Sequence, residues 1–377
     1  MRSIIELSER GKRKVFRIID DFAGANIKIH SIEGNTISLE QEIRDTGEWW
    51  FWWNFKIEVQ TVQTLRFVFT NGNVVHKKGV CYRYETEEFA YDPNARISGN
   101  EFVFHFDKAG VWQFAFSIPY LIADWNGFIG SLPHTPNVVF VGTSEQGRPF
   151  QIIDENPSAQ KAVVVTCRHH ACESVASFSM EGMVRHWLSS KLSKSYRLIV
   201  FPFVDIDGVE NGDQGKSRIP HDHNRDYIDE PIYESVRILK KIAEDVDVVC
   251  LFDLHCPAAY GGPHDHLSLI GLSAPYDEAQ RKFSKLLKTT MDKRNCPIEY
   301  HEENNVPYGT LWNKGISSSC SGYFAKTGAD LAFSFEHPFA GDMERPYTPN
   351  DLRAFGECFA VAVERYLGLE EEPYKKG

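Results

Sequence analysis

Apolar and polar residues alternate with a period of two through much of the first 140 residues. Phe16-Arg-Ile-Ile19 and Ile27-Lys-Ile-His-Ser-Ile32 are short runs of this kind, and Lys56-Ile-Glu-Val59 and Thr64-Leu-Arg-Phe-Val-Phe-Thr70 repeat the pattern. Phe102-Val-Phe-His-Phe106 and Val111-Trp-Gln-Phe-Ala-Phe116 follow, with turn signals at Gly34-Asn35 and Asn71-Gly-Asn73. Side chains of a strand alternate between its two faces, so the pattern predicts half-buried strands joined by turns, and hence an all-β sandwich. No stretch of this region predicts a helix of ten residues. The block Trp49-Trp-Phe-Trp-Trp-Asn-Phe55 reads as the two faces of a core strand, one of them covered by a neighbouring domain. A stacking platform for sugars or peptides is the less favoured alternative.

Beyond residue 140 the pattern changes to apolar runs alternating with helical periodicity. Val138-Val-Phe-Val-Gly142, Val163-Val-Val-Thr166, Tyr196 to Phe201, Val246 to Leu254 and Leu331 to Phe335 read as strands. Between them, Cys172 to Ser190, Ile232 to Ala243, Asp277 to Lys293 and Pro349 to Leu367 read as helices, with Pro231 at the first turn of the second. Continuous apolar strands are buried on both faces, which predicts a mainly parallel sheet between helices. The chain thus divides into an N-terminal sandwich, residues 1–130, and an α/β domain, residues 131–377. The tail Glu370–Gly377 reads as frayed.

Composition narrows the function. With 377 residues and 42% hydrophobic content the chain can build two cores. A net charge of −11 argues against a nucleic-acid partner held by phosphate neutralisation. Eight cysteines are scattered without a CxxC pair, which reads as buried free thiols in a reducing compartment. Met1 to Arg10 carries acidic residues where a signal peptide has its apolar core, and no run is long enough to span a membrane. The expectation is a soluble, cytoplasmic protein with no membrane partner.

Ligands in doubly covered sheets bind beyond the carboxyl ends of the strands, and the candidate chemistry lies there. His170 and Glu173 follow the strand ending at Thr166, spaced to aim an imidazole and a carboxylate at one point. A catalytic zinc needs such a pair, a third ligand and an open position. His255, just past the strand Val246–Leu254, is the candidate third ligand, with Asp253 placed to orient it. His169, Cys256, His264 and His266 are weaker rivals. Glu336 ends the strand Ala332–Phe335, where a buried carboxylate is costly unless it has a task, and it is the candidate general base. Asn224-Arg225 suits recognition of a carboxylate. Arg218 is placed to polarise a carbonyl, and Arg168 flanks the first motif. The stretch Gly208–Arg218 reads as a glycine-rich loop without the order that cradles phosphate.

In this order, His170-x-x-Glu173, Asp207-Gly-Val209, Asp222-His-Asn-Arg225, Asp253-Leu-His255 and a late Glu336 resemble the zinc carboxypeptidases of the M14 type. Gly47-Glu-Trp-Trp-Phe-Trp-Trp53 and Phe114-Ala-Phe-Ser-Ile-Pro-Tyr120 resemble the β-sandwich that precedes the catalytic domain in cytosolic carboxypeptidases. The resemblance implies a mixed eight-stranded sheet, one zinc ion on His170, Glu173 and His255, and Glu336 as general base and then acid. It implies Asn224 and Arg225 on the substrate carboxylate and Arg218 on the oxyanion. The substrate would be a peptide or protein C-terminal tail. The same fold also serves zinc amidases and deacylases, and the contrasting class is a metal-containing binding protein without activity. Three departures stand out. Ala171-Cys172 replaces the usual Pro-Gly, and Cys172 reads as a small buried residue in preference to a redox-sensitive one. The family's oxyanion arginine usually lies farther upstream than Arg218, which leaves Lys216 as a cationic alternative. The tyrosine that closes over substrate has only candidates, Tyr323 and Tyr308. Related cytosolic enzymes remove glutamate, for which Arg168, Lys216 and Lys314 are the available cations.

Overall fold

The computed structural model describes residues 4–9, 12–47, 50–258, 262–314, 318–342 and 344–369. Trp49 of the tryptophan block and the tail 370–377 lie outside the described residues.

Two sheets build the N-terminal region. One runs Ile4–Glu9, Lys12–Ile19, Asn54–Val59, Gly110–Ala115, Val80–Tyr84, Ala90–Asp92, antiparallel throughout. The other runs Lys28–Glu33, Thr36–Glu40, Gln63–Phe69, Glu101–Phe106, Arg96–Ser98, with one parallel pairing between Thr36–Glu40 and Gln63–Phe69. The expected alternation is visible in Gln63–Phe69, where every second residue is buried. The inward rings meet between the sheets: Phe67 lies 5.7 Å from Phe55, and Phe104 lies 4.9 Å from Phe114. Trp50, Phe51, Trp52 and Trp53 are all buried, which fits the core reading of the block, although the strand itself starts only at Asn54. Trp53 packs 4.8 Å from Phe69 and donates its indole N–H to the Val74 carbonyl at 2.8 Å. Phe51 turns the other way and meets Phe339 of the C-terminal region at 5.4 Å.

One expectation fails here. Ile122–Ser131 is a ten-residue helix in the region expected to hold none. Its glycines and asparagine hide the periodicity. It is set by Asp124, whose carboxylate accepts from the Leu121 N–H at 2.7 Å, and by burial of Trp125 and Phe128. The boundary expected between residues 130 and 131 falls in its last turn.

The second region centres on a sheet of seven strands among the described residues, one fewer than the eight the resemblance implies. They are β1 (Val138–Thr143), β2 (Pro149–Glu155), β3 (Lys161–Cys167), β4 (Arg197–Phe201), β5 (Asp247–His255), β6 (Ser268–Ile270) and β7 (Leu331–Glu336). Their order across the sheet is β1-β2-β4-β3-β5-β7-β6. The four central strands, β4, β3, β5 and β7, are parallel, and the flanking pairings are antiparallel. Helices Ala176–Ser189, Asp277–Arg294 and Pro349–Tyr366 pack together, as do Glu234–Asp245 and Cys320–Thr327, and both groups touch the strands. Helix Glu234–Asp245 starts later than the periodicity suggested, so Pro231 precedes its cap Tyr233 and is not in the first turn. Part of the expected loop Gly208–Arg218 is helical, because Ile206–Asn211 forms a short helix capped by the Asp205 carboxylate.

The parallel register brings the chemistry together. Thr166 pairs with Asp253, and His255 pairs with Glu336. Three neighbouring strands therefore deliver their polar ends to one edge.

Candidate metal centre

β3 ends at Cys167, and Arg168 turns the chain sharply with a left-handed φ of 63°. This conformation strains a residue with a side chain. The fully buried Arg168 guanidinium compensates, donating to the Ala171 carbonyl at 2.9 Å and the Tyr120 carbonyl at 2.8 Å. Arg168 thus serves the turn and does not line the cleft. The turn separates two histidines. His169 points inward, with Nδ1 2.8 Å from Asp253 Oδ1 and Nε2 2.9 Å from the Tyr227 hydroxyl. His170 faces a cleft of about 400 Å³.

In that cleft His170 Nδ1 lies 2.9 Å from Glu173 Oε1, and His255 Nδ1 lies 2.8 Å from Glu173 Oε2. Each imidazole offers its other nitrogen to an outer carboxylate. His255 Nε2 lies 2.7 Å from Asp253 Oδ2, and His170 Nε2 lies 3.5 Å from Asp222 Oδ1. Asp253 is itself held by the Thr166 hydroxyl at 2.7 Å. One ligand atom from each of His170, Glu173 and His255 falls within 4.8 Å of the others. His169, Asp253 and His255 satisfy the same distance, but His169 lies against Asp253 and the Tyr227 hydroxyl and does not line the cleft. Two imidazole nitrogens and a carboxylate, oriented by outer carboxylates, fit zinc. His170, Glu173 and His255 are the residues that would hold it.

Electrostatics follow from this crowding. Burial alone would raise the Glu173 pKa, but Lys216, His170 and His255 hold it well below the usual carboxylate range. Burial alone would lower the His255 pKa, but Asp253 and Glu173 raise it well above its ordinary value. Metal binding requires neutral imidazoles, so such a site releases protons as it loads. Glu336 stands at the end of β7 and lines the same cleft. Burial pushes its pKa up, with Lys216 opposing, and its Oε2 has no hydrogen-bond partner. An unpartnered carboxylate with a raised pKa is suited to accept a proton near neutral pH.

Asn224 and Arg225 sit on a 3-10 turn, His223–Arg225, at the cleft wall. The Asn224 Oδ1 accepts from the Cys320 N–H at 2.9 Å, which fixes the amide. Its Nδ2 lies 3.3 Å from His255 Nε2, a nitrogen already engaged with Asp253, so this donor is left to face the cleft. Arg225 donates one N–H to the Asn224 carbonyl at 3.0 Å, with the rest of its fork available.

Two expected site residues lie elsewhere. Arg218 does not reach the cleft. It forms ion pairs with Asp45 at 2.6 Å, Asp205 at 2.8 Å and Asp213 at 3.3 Å, and this carboxylate cage holds it away from any carbonyl in the cleft. Lys216 takes the cleft position, touching Glu173 and donating to the Cys256 carbonyl at 2.7 Å. Tyr323 donates its hydroxyl to Glu244 and packs its ring at a tilt against Tyr227, whereas Tyr308 lines the cleft. Trp312, which the sequence reading passed over, lines it too, 5.0 Å from the His264 ring. An exposed tryptophan outside the sandwich was the only signal for it. Lys314 is exposed and does not line the cleft. Cys172 is buried with its thiol pKa pushed up, in keeping with a small packed residue.

Comparison with known proteins agrees with this arrangement. Residues 122–267 match the family model described as zinc carboxypeptidase. The chain is 20% identical over 367 residues to an uncharacterized protein of Zymomonas mobilis, covering 91% of this chain and 94% of that protein. It is 26% identical over 225 residues to cytosolic carboxypeptidase 2 of Danio rerio, covering 53% of this chain and 29% of that protein. The fold is similar to that of a metallo-carboxypeptidase from Burkholderia cenocepacia, with a TM-score of 0.76 at 17% identity over 94% of this chain and 99% of that one.

Proposed function

We propose, from the premise that this chain belongs to the M14 family of zinc carboxypeptidases, that it removes the C-terminal residue from peptides or protein tails in the cytoplasm. One observation carries the reading. Two outwardly supported imidazoles and Glu173 converge in the cleft that also holds the unpartnered Glu336 and the Arg225 fork. Zinc on His170, Glu173 and His255 would supply a Lewis acid and a water acidified to a pKa near ~7.

The protein's own groups do the rest. Arg225, with the Asn224 amide, grips the terminal carboxylate of the substrate by charge-assisted hydrogen bonds. That grip places the last peptide bond beside Glu336. Glu336 takes a proton from the attacking water and returns it to the leaving amine. Lys216, in place of Arg218, stands where negative charge develops on the carbonyl oxygen. The names of cytosolic relatives and the dispersed thiols support the compartment.

The test is a peptide library with free and amidated C-termini, incubated with zinc-loaded protein. The expected result is one zinc per chain and release of single amino acids from free termini only. Equal release from amidated peptides would indicate the amidase chemistry of the same fold. Zinc without any release would indicate a binding protein.

A further inference from the structure

Arg218 does not line the cleft, yet it is caged by three carboxylates from both regions of the chain. Its backbone forms an antiparallel bridge with Thr46 of the sandwich. Around that bridge the Gly47 N–H donates to the Ser217 carbonyl, and the Ile219 N–H donates to the Asp45 carbonyl, both at 2.9 Å. The segment leading to it is equally confined. Gly215 has a φ of 79°, and a Cβ there would stand 2.4 Å from the Ala171 backbone nitrogen, so the chain presses against the loop between His170 and Glu173. Lys216 lies between that turn and the bridge. Its backbone is therefore held on both sides, which fixes the point from which its side chain enters the cleft.

We propose that Asp45 and Arg218 are positioning residues, through which the sandwich holds Lys216 against Glu173 and in line with the substrate carbonyl. The second part rests on the reading of Lys216 given above, and the first does not. Asp45 makes the contact that belongs to the sandwich. It binds Arg218 Nε, while Asp205 and Asp213 bind the two terminal nitrogens from the catalytic side.

The test is a double-mutant cycle on the full-length zinc-loaded protein, with Asp45→Asn, Lys216→Met and the pair. Asp45 has a partly exposed carboxylate, so its variant keeps the fold, whereas removing Arg218 would leave Asp205 buried without its cation and Asp213 with Arg44 alone. Zinc affinity is read by competition with a chromophoric chelator, and turnover with a free-carboxylate peptide. The Lys216 ammonium competes with a metal ion for Glu173, so Lys216→Met binds zinc about tenfold more tightly. Its kcat falls roughly a hundredfold, with KM little changed. Asp45→Asn moves both quantities the same way by a smaller factor, and Asp45→Glu restores them. In the Lys216→Met background Asp45→Asn changes neither, because interacting residues are not additive. Equal effects of Asp45→Asn in both backgrounds, or none in either, would overturn the proposal. If no peptide is turned over, the proposed function falls, and the zinc cycle still decides this inference.

Discussion

The sandwich core and the carboxyl edge of the catalytic sheet both hold deeply buried side chains, but they are filled with opposite materials. Between the sandwich sheets Phe55, Phe67, Phe102 and Phe114 are fully buried, and ring meets ring. Burial of that kind stabilises in proportion to area and asks only for shape. At the catalytic edge Glu173, Asp253, His169 and His255 are as deeply buried, and each is surrounded by partners of the opposite sign. Apolar residues of the same volume would be at least as stable there. Charges kept in such a place, beside the unpartnered Glu336, are what a site for chemistry would retain. The difference teaches where stability is made and where it is given up.

The comparison can be broken at either end. Glu336→Gln removes the unpartnered carboxylate with little change of shape. Turnover should fall by about 10²–10⁴-fold with zinc content unchanged, and a variant that keeps its rate would take Glu336 out of the reaction. Trp53→Ala attacks the other region. It should cost about 3–5 kcal/mol in denaturant unfolding while the folded fraction still binds one zinc. A loss below about 1 kcal/mol would mean the aromatic layer is not what holds the sandwich. Arg225→Ala should raise KM for free-carboxylate peptides by roughly 10–100-fold, the weight of a charge-assisted hydrogen bond, and leave the binding of amidated peptides, read as competitive inhibition, unaffected. Equal losses on both would remove its role in gripping the terminus.

The smallest effect sharpens the contrast through an exception. His76 is a buried imidazole in the sandwich, and burial, with Lys78, Lys77 and Arg96 nearby, pushes its pKa down to about 3. The unfolded chain takes up this proton below about pH 6.5 and the folded one does not. His76 therefore contributes its stability fully above that pH and loses it progressively as pH falls toward 3. His76→Gln should reduce the loss of stability between pH 7.5 and 5.5 by about 1 kcal/mol, measured by urea unfolding at the two values. An unchanged difference would show that another group carries the acid sensitivity.

What the sequence made legible divides along the same line. Period-two alternation announced Gln63–Phe69 and Glu101–Phe106 because one face of each is buried and the other is not. Continuous apolar runs announced β3, β5 and β7, and their polar ends pointed to His170, Glu173, His255 and Glu336. Strands of three residues, such as Ala90–Asp92 and Arg96–Ser98, carry too little pattern to be seen. β2 was missed because it opens on Pro149 and mixes Gln151, Asp154 and Glu155 into an otherwise apolar run. Arg218 was misplaced for a different reason. Its partners Asp45, Asp205 and Asp213 come from distant parts of the chain, and no local spacing announces a cage assembled by folding. The choice between Tyr323 and Tyr308 had the same cause, since both lie on segments whose orientation only tertiary packing decides.

The strand that ends in Glu336 runs on to Phe339, three residues later. That ring sits 5.4 Å from Phe51 and 5.3 Å from Phe116, and its carbonyl accepts from the Tyr91 hydroxyl at 3.2 Å. The segment that follows Glu336 is thus plugged into a socket on the other half of the chain. Recombination that swaps front ends among enzymes works when the joint is a passive linker. Here the joint is a fitted side chain three residues beyond Glu336, so exchanging one half alone would disturb the other.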